Sequence, residues 1–176
     1  MWFMAMNVEG HPEWGWLRTV IIGRNPKRTL IRIVLLVVTC FAVFKFVLLP
    51  IRVEGGSMLP TYQDRRVNIV NRLAYLRREP RRGDVVAIRL AGTSIMYMKR
   101  IIGLPGETVA FHEGHALING EILPEPYVKN GCDWESPPVT LGSDEYYFVG
   151  DNRSMPKADH TEGRTHRARI VGKVLL

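Results

Sequence analysis

Residues 33–49 read Ile-Val-Leu-Leu-Val-Val-Thr-Cys-Phe-Ala-Val-Phe-Lys-Phe-Val-Leu-Leu. Only Thr39, Cys40 and Lys45 interrupt this apolar run, and they form no polar face. A helix over residues 29–50 is roughly 30 Å long at about 1.5 Å per residue, which suffices to cross a bilayer. Lys45, near the far end, can extend its amine to the interface. A helix buried in a soluble core would normally carry a polar stripe. A cleaved signal peptide would have an Ala-x-Ala site after the run, and none follows. The run therefore predicts one transmembrane helix.

Charge supports the same reading. The net charge is +7 over 176 residues. The first 52 residues hold seven Lys/Arg and two Asp/Glu, whereas the rest hold seventeen and fifteen. An excess beside an apolar run indicates membrane topology rather than nucleic-acid binding. Arg18, Arg24, Lys27, Arg28 and Arg32 precede the run. They predict a cytoplasmic leader over 1–28 and an extracytoplasmic domain over 51–176. Trp2, Trp14 and Trp16 in the leader fit either headgroup anchors or an ordinary tail.

From Arg52 onward the chain reads as short strands separated by turns, with no long helical period. Strands are expected at 66–70, 84–90, 94–102, 145–149 and 170–175. Residues 107–123 read as strands broken at Glu113-Gly114 and Asn119-Gly120, both hairpin signals. The domain is thus mainly β. Arg72, Arg77, Arg78, Arg81 and Arg82 form a basic cluster, read as a solvated surface with lipid headgroups as the alternative. Cys40 and Cys132 belong to different regions and imply no disulfide framework. The five histidines have no metal-ligand spacing, and His112 and His115 flank a turn as exposed residues.

Two residues stand in settings suited to chemistry. Ser57 lies in Gly55-Gly56-Ser57-Met58-Leu59-Pro60-Thr61. The glycines permit close backbone approach, and Pro60 stiffens the exit. An ordinary loop has the same composition. Lys99 lies in the 94–102 strand, where period two sets it in a row with Ile95, Tyr97 and Ile101. Burial there would lower its pKa and let the neutral amine accept a serine proton. A strand-edge lysine with its head in water is the competing reading.

Four blocks then occur in order: Ser57-Met58-Leu59-Pro60-Thr61, Gly83-Asp84-Val85-Val86, Lys99-Arg100-Ile101-Ile102-Gly103-Leu104-Pro105-Gly106-Glu107 and Gly150-Asp151-Asn152-Arg153. Together with the anchor they resemble the bacterial type I signal peptidases over roughly residues 30–176. The resemblance implies a β-rich catalytic domain behind one N-terminal transmembrane helix, at the outer face of the cytoplasmic membrane. It implies a Ser57 nucleophile and a Lys99 general base, acting through an acyl-enzyme without a cofactor. Gly56, Met58, Pro60, Asp151, Asn152 and Arg153 would support the site. Tyr97 and Ile101 would shape pockets for small residues before the cut. The implied partners are signal peptides of exported preproteins and the lipid bilayer, with no nucleic acid, and the implied state is a monomer.

The chain also departs from that pattern. Where the family carries Ser, Asp and Arg after the last block, ungapped counting gives Pro156, Ala158 and His160. His160 is then expected to replace the Arg and pair with Asp151, while Ser154 and Asp159 are nearby substitutes for the Ser that positions the lysine. Gly55 stands where many relatives have an oxyanion-binding Ser, which leaves the backbone N–H of Ser57 to form the hole. Alternative functions are a pilin- or conjugation-type processing peptidase and a non-catalytic, membrane-anchored binding protein on the same fold.

Overall fold

The structure is a computed structural model that describes residues 25–89 and 96–175. The leader tryptophans and Ile95 lie outside those residues. The chain divides into two compact units, residues 1–43 and 44–176.

Helix α1 spans Pro26–Ala42 and continues through a wider π turn at Val43–Val47. Asn25 caps it, its side chain accepting a hydrogen bond from the Arg28 N–H at 3.4 Å. Proline at the first helical position matches a site whose N–H has no helical partner. An 18-residue window within Lys27–Val47 reaches a mean hydropathy of 2.5, and the helix is long and apolar enough to cross a membrane. Leu30, Leu36 and Phe41 are all more than 60% exposed. Such a face is stable only in an apolar medium or against a partner.

The helix ends three residues before the expected boundary at Pro50. Leu48–Arg52 forms β1, paired antiparallel with β2 (Val67–Asn71). Pro50 explains the break, because the residue before a proline is driven out of the α region. β3 (Val85–Arg89), β4 (Met96–Gly103), β9 (Glu145–Val149), β10 (Gly163–His166) and β11 (Ile170–Leu175) complete a seven-stranded sheet, ordered β1-β2-β11-β3-β4-β9-β10. A smaller sheet has the order β7-β6-β5-β8, from β5 (Thr108–His112), β6 (His115–Ile118), β7 (Glu121–Ile122) and β8 (Ser136–Thr140).

The hairpin turns fall where expected. Glu113, Gly114, Asn119 and Gly120 all have positive φ, as tight hairpin turns require. β1, β8 and β10 were not expected. β8 contains Pro137-Pro138, which reads against a strand, and it lies at a sheet edge where missing N–H donors are tolerated.

Three apolar clusters hold the second unit together. Leu49 and Ile51 of β1 pack on the cluster of Val85, Ala87 and Met98, so the large sheet curls to bring β1 over β3 and β4. A second cluster joins Ile102, Phe111, Trp134 and Tyr147 between the sheets. A third packs Val86, Ile88, Ile101 and Phe148 on the other face of β3, β4 and β9. Asp84 of the second block is a structural anchor. Its carboxylate accepts hydrogen bonds from the Tyr75 hydroxyl at 2.9 Å and the Lys173 amine at 2.6 Å. Arg82 is not simply solvated, since it donates to the Glu107 carboxylate at 2.5 Å. Arg72 donates to the Lys45 carbonyl at 2.9 Å.

Candidate active site

Ser57 sits in a tight turn after β1. Gly55 has φ +105°, a region that L side chains rarely adopt, so a serine there would be strained. The Gly55 N–H donates to Asp64 at 2.8 Å. Met58 is 1% exposed and anchors the turn in the first apolar cluster, while Pro60 is exposed. Asn152 clamps the turn from the other side. Its backbone N–H donates to the Ser57 carbonyl at 3.0 Å, and its side-chain amide donates to the Gly56 carbonyl at 2.9 Å.

A small cleft opens beside Ser57, lined by Ile51, Arg52, Val53, Glu54, Met96, Tyr97 and Met98. Tyr97 lines this cleft together with Ser57. Ile101 does not: it is fully buried in the third cluster, because both faces of β4 are covered at that point. Val53, Met96 and Met98 line the cleft with Tyr97, and no local pattern marks them apart from core residues. Two strand edges border the cleft. Among the described residues β1 pairs on one side only, as an edge strand. In β4, Met96–Met98 pair with β3, whereas pairing to β9 begins at Arg100.

Lys99 is 2% exposed. Burial pulls its pKa down to about 8, with the Asp151 and Glu162 charges opposing the shift. Among the described residues its amine makes no ion pair or hydrogen bond. Arg100 pairs with Val149 across β4 and β9. Lys99 precedes Arg100 and Gly150 follows Val149, so both residues adjoin the last paired positions of β4 and β9. A Cβ built on Gly150 would meet the Ser57 carbonyl oxygen at 2.2 Å and the His160 ring at 2.6 Å. The Ser57 carbonyl and the His160 ring therefore crowd Gly150, and the Lys99 charge acts on that ring.

The last block acts as scaffolding. Asp151 is 1% exposed and accepts from the Thr61 hydroxyl at 2.6 Å and from Arg100 at 2.8 and 2.6 Å. Arg153 is equally buried, bonds the Gly150 carbonyl at 3.0 Å and pairs with Glu125. Glu125 also accepts from the Tyr127 hydroxyl at 2.7 Å, and Arg100 lies 3.9 Å over the Tyr127 ring. Arg100, Thr61, Glu125 and Tyr127 were not singled out from the sequence. Glu125 and Tyr127 fall in a stretch without a motif, whereas Arg100 stands inside a recognised block, and its invariable charge was the available signal.

The expected pairing of His160 with Asp151 is not made. Asp151 is taken up by Arg100 and Thr61, and His160 packs edge-on against Trp134 at 4.8 Å between ring centres. Burial, then the Lys99 and Arg153 charges, lower its pKa to about 4, so it is neutral. Backbone of Asn152 and Thr161 offsets this in part but lies outside hydrogen-bond geometry. The suggested substitutes for the lysine-positioning Ser also differ: Ser154 is exposed and donates to Asn152 at 2.7 Å, and Asp159 is exposed.

The architecture is that of a β-rich unit with a buried lysine and a clamped serine turn beside an open-edged cleft. The family model described as "Signal peptidase, peptidase S26" matches residues 27–176, and the chain belongs to this family. Signal peptidase I of Leptolyngbya laminosa is 34% identical over 132 residues, covering 70% of this chain and 65% of that protein. Probable signal peptidase I-2 of Synechocystis is 32% identical over 130 residues, covering 70% and 60%. Signal peptidase I T of Bacillus subtilis is 37% identical over 131 residues, covering 69% and 68%. The chain thus spans less than two thirds of the length of the first two. A crystal structure of a signal peptidase I from Enterococcus faecalis V583 covers 56% of this chain and 98% of that one, with a TM-score of 0.45 and 24% identity.

Proposed function

We propose that this chain is a membrane-anchored signal peptidase I that cuts signal peptides from exported preproteins after small residues. The observation that carries the reading is Lys99: a lysine 2% exposed, with its pKa drawn down to about 8, in the same unit as a Ser57 turn clamped by Asn152. A buried lysine without an ion partner costs stability, and such a perturbed group in a cleft-bearing unit supports a general-base role.

In this reading an extended substrate adds as a strand between the free edge of β1 and the free edge of Met96–Met98. Its scissile carbonyl then lies at Ser57. The neutral Lys99 amine takes the Ser57 proton as the hydroxyl oxygen attacks the carbonyl carbon. The backbone N–H of Ser57 stabilises the oxyanion. Collapse expels the amine of the mature protein, which receives the proton from the Lys99 ammonium. Lys99 then activates water, which hydrolyses the acyl-enzyme and frees Ser57. No cofactor enters these steps, and the enzyme acts as a monomer. The helix Lys27–Val47 anchors the chain in the cytoplasmic membrane, with residues 1–28 inside and the catalytic unit outside, as the flanking Lys/Arg excess favours.

Cleavage of a signal-peptide substrate by wild type, Ser57→Ala and Lys99→Ala tests this. Both variants should be inactive while remaining folded, and the double variant little worse than either. Full activity in Lys99→Ala would overturn the dyad, and an inactive but folded wild type would favour a binding protein.

A further inference from the structure

Resting on that reading, we propose that His160 is the positioning residue for Lys99, its neutral imidazole accepting an N–H from the amine and so turning the amine's lone pair toward Ser57.

Three observations lead there. His160 is 5% exposed, and neither Nδ1 nor Nε2 has a hydrogen-bond partner among the described residues. Buried polar atoms are nearly always paired, so two on one ring mark a missing interaction. The ring is also placed to meet Lys99. Its Cε1 and Nε2 lie 2.6 and 2.8 Å from the point where a Gly150 Cβ would stand. Lys99 precedes Arg100, whose partner Val149 precedes Gly150, so the Lys99 stem starts next to that edge, and its charge acts on the ring. Only a glycine at position 150 leaves room for this approach.

The third observation concerns the carboxylates near Lys99. The neighbouring carboxylate of Asp151 is occupied by Arg100 and Thr61. Glu162 lies in the same electrostatic neighbourhood, held toward Lys157 at 3.7 Å, with its Oε2 buried and unpartnered. A second carboxylate contact would hold Lys99 protonated, whereas a neutral imidazole orients the amine without fixing its charge. His160 suits that role because burial and the Lys99 and Arg153 charges keep it neutral down to about pH 4. The ring is held by its edge contact with Trp134.

A crossed pair of substitutions separates positioning from packing. His160→Gln keeps an acceptor and loses the ring; His160→Phe keeps the ring on Trp134 and loses the acceptor. Full-length enzyme is assayed on one signal-peptide substrate with Ser57→Ala and Lys99→Ala as inactive references, and each variant's melting temperature is recorded. His160→Gln should retain kcat within about threefold of wild type. His160→Phe should lose about 10- to 100-fold in kcat with KM little changed and a near-native melting temperature. The reverse order, or two unaffected variants, overturns the positioning role while leaving the dyad intact. An active Lys99→Ala reference would instead overturn the dyad reading itself. If both variants lose kcat equally and melt early, packing is the role and the proposal falls.

Discussion

Asp151 and Arg100 form a two-point ion pair, with Nε and Nη2 of the guanidinium donating at 2.8 and 2.6 Å to a carboxylate whose side chain is fully buried. The pair ties β4, which carries Lys99, to the Asn152 clamp on the Ser57 turn. Charge and shape are both matched, because the guanidinium fork fits a carboxylate in two places.

Breaking this pair from either side should be costly. Asp151→Asn leaves Arg100 without its counter-charge and is expected to lose about 3–5 kcal/mol of stability. Arg100→Lys keeps the charge, loses the fork and should fall between wild type and Asp151→Asn. Denaturant melts of the three proteins in one detergent check the order. Equal stability of Asp151→Asn and wild type would show that the pair contributes nothing.

Gly150 is the position where the site allows no side chain. A Cβ there would lie 2.2 Å from the Ser57 carbonyl oxygen, a backbone atom. Gly150→Ala should displace the nucleophile turn, lowering stability by about 1–3 kcal/mol and removing most activity. Gly131→Ala, with nothing within 4 Å of the added atom, is the matched control and should change stability by less than about 0.5 kcal/mol. Equal behaviour of the two variants in a melt and a cleavage assay would contradict the geometry.

The Lys99 amine must be neutral to act as base. Its pKa of about 8 therefore predicts that kcat/KM rises with pH and levels off above about 8. Lys99→Arg should be inactive across the profile, because a guanidinium stays protonated. An activity plateau reaching down to pH 6 would exclude Lys99 as the titrating base.

The same shift makes Lys99 a stability liability. Its folded pKa lies below its unfolded value near 10.5, so the unfolded chain binds more protons between about pH 8 and 10.5. Stability therefore rises with pH across that window, and the penalty is fully present below pH 8. Two to three pKa units correspond to on the order of 3 kcal/mol. Lys99→Met should accordingly be inactive yet more stable than wild type at pH 7, with the gap closing toward pH 10.5. A pH-independent difference in melting would refute the linkage.

Some features were legible in the amino-acid sequence because they depend on neighbours along the chain. An apolar run without a polar face specifies a helix that must find an apolar medium, wherever the rest of the chain goes. Glu113-Gly114 and Asn119-Gly120 specify hairpin turns because those residues tolerate positive φ. The strands at Glu145–Val149 and Ile170–Leu175 follow from β-branched and aromatic content. Residues that need partners across the sheet were decided elsewhere. Whether Asp151 meets Arg100 or His160 depends on β9 lying beside β4, and no local period encodes that order. Ile101 reads as a pocket residue along the strand and becomes core once Val86 and Phe148 cover it. β1 leaves the helix because Pro50 breaks it, but it becomes a strand only by finding β2. Lys99 acquires its neutral tendency the same way: burial comes from the strands packed around it, and desolvation is a property of the assembled fold rather than of any segment of the chain.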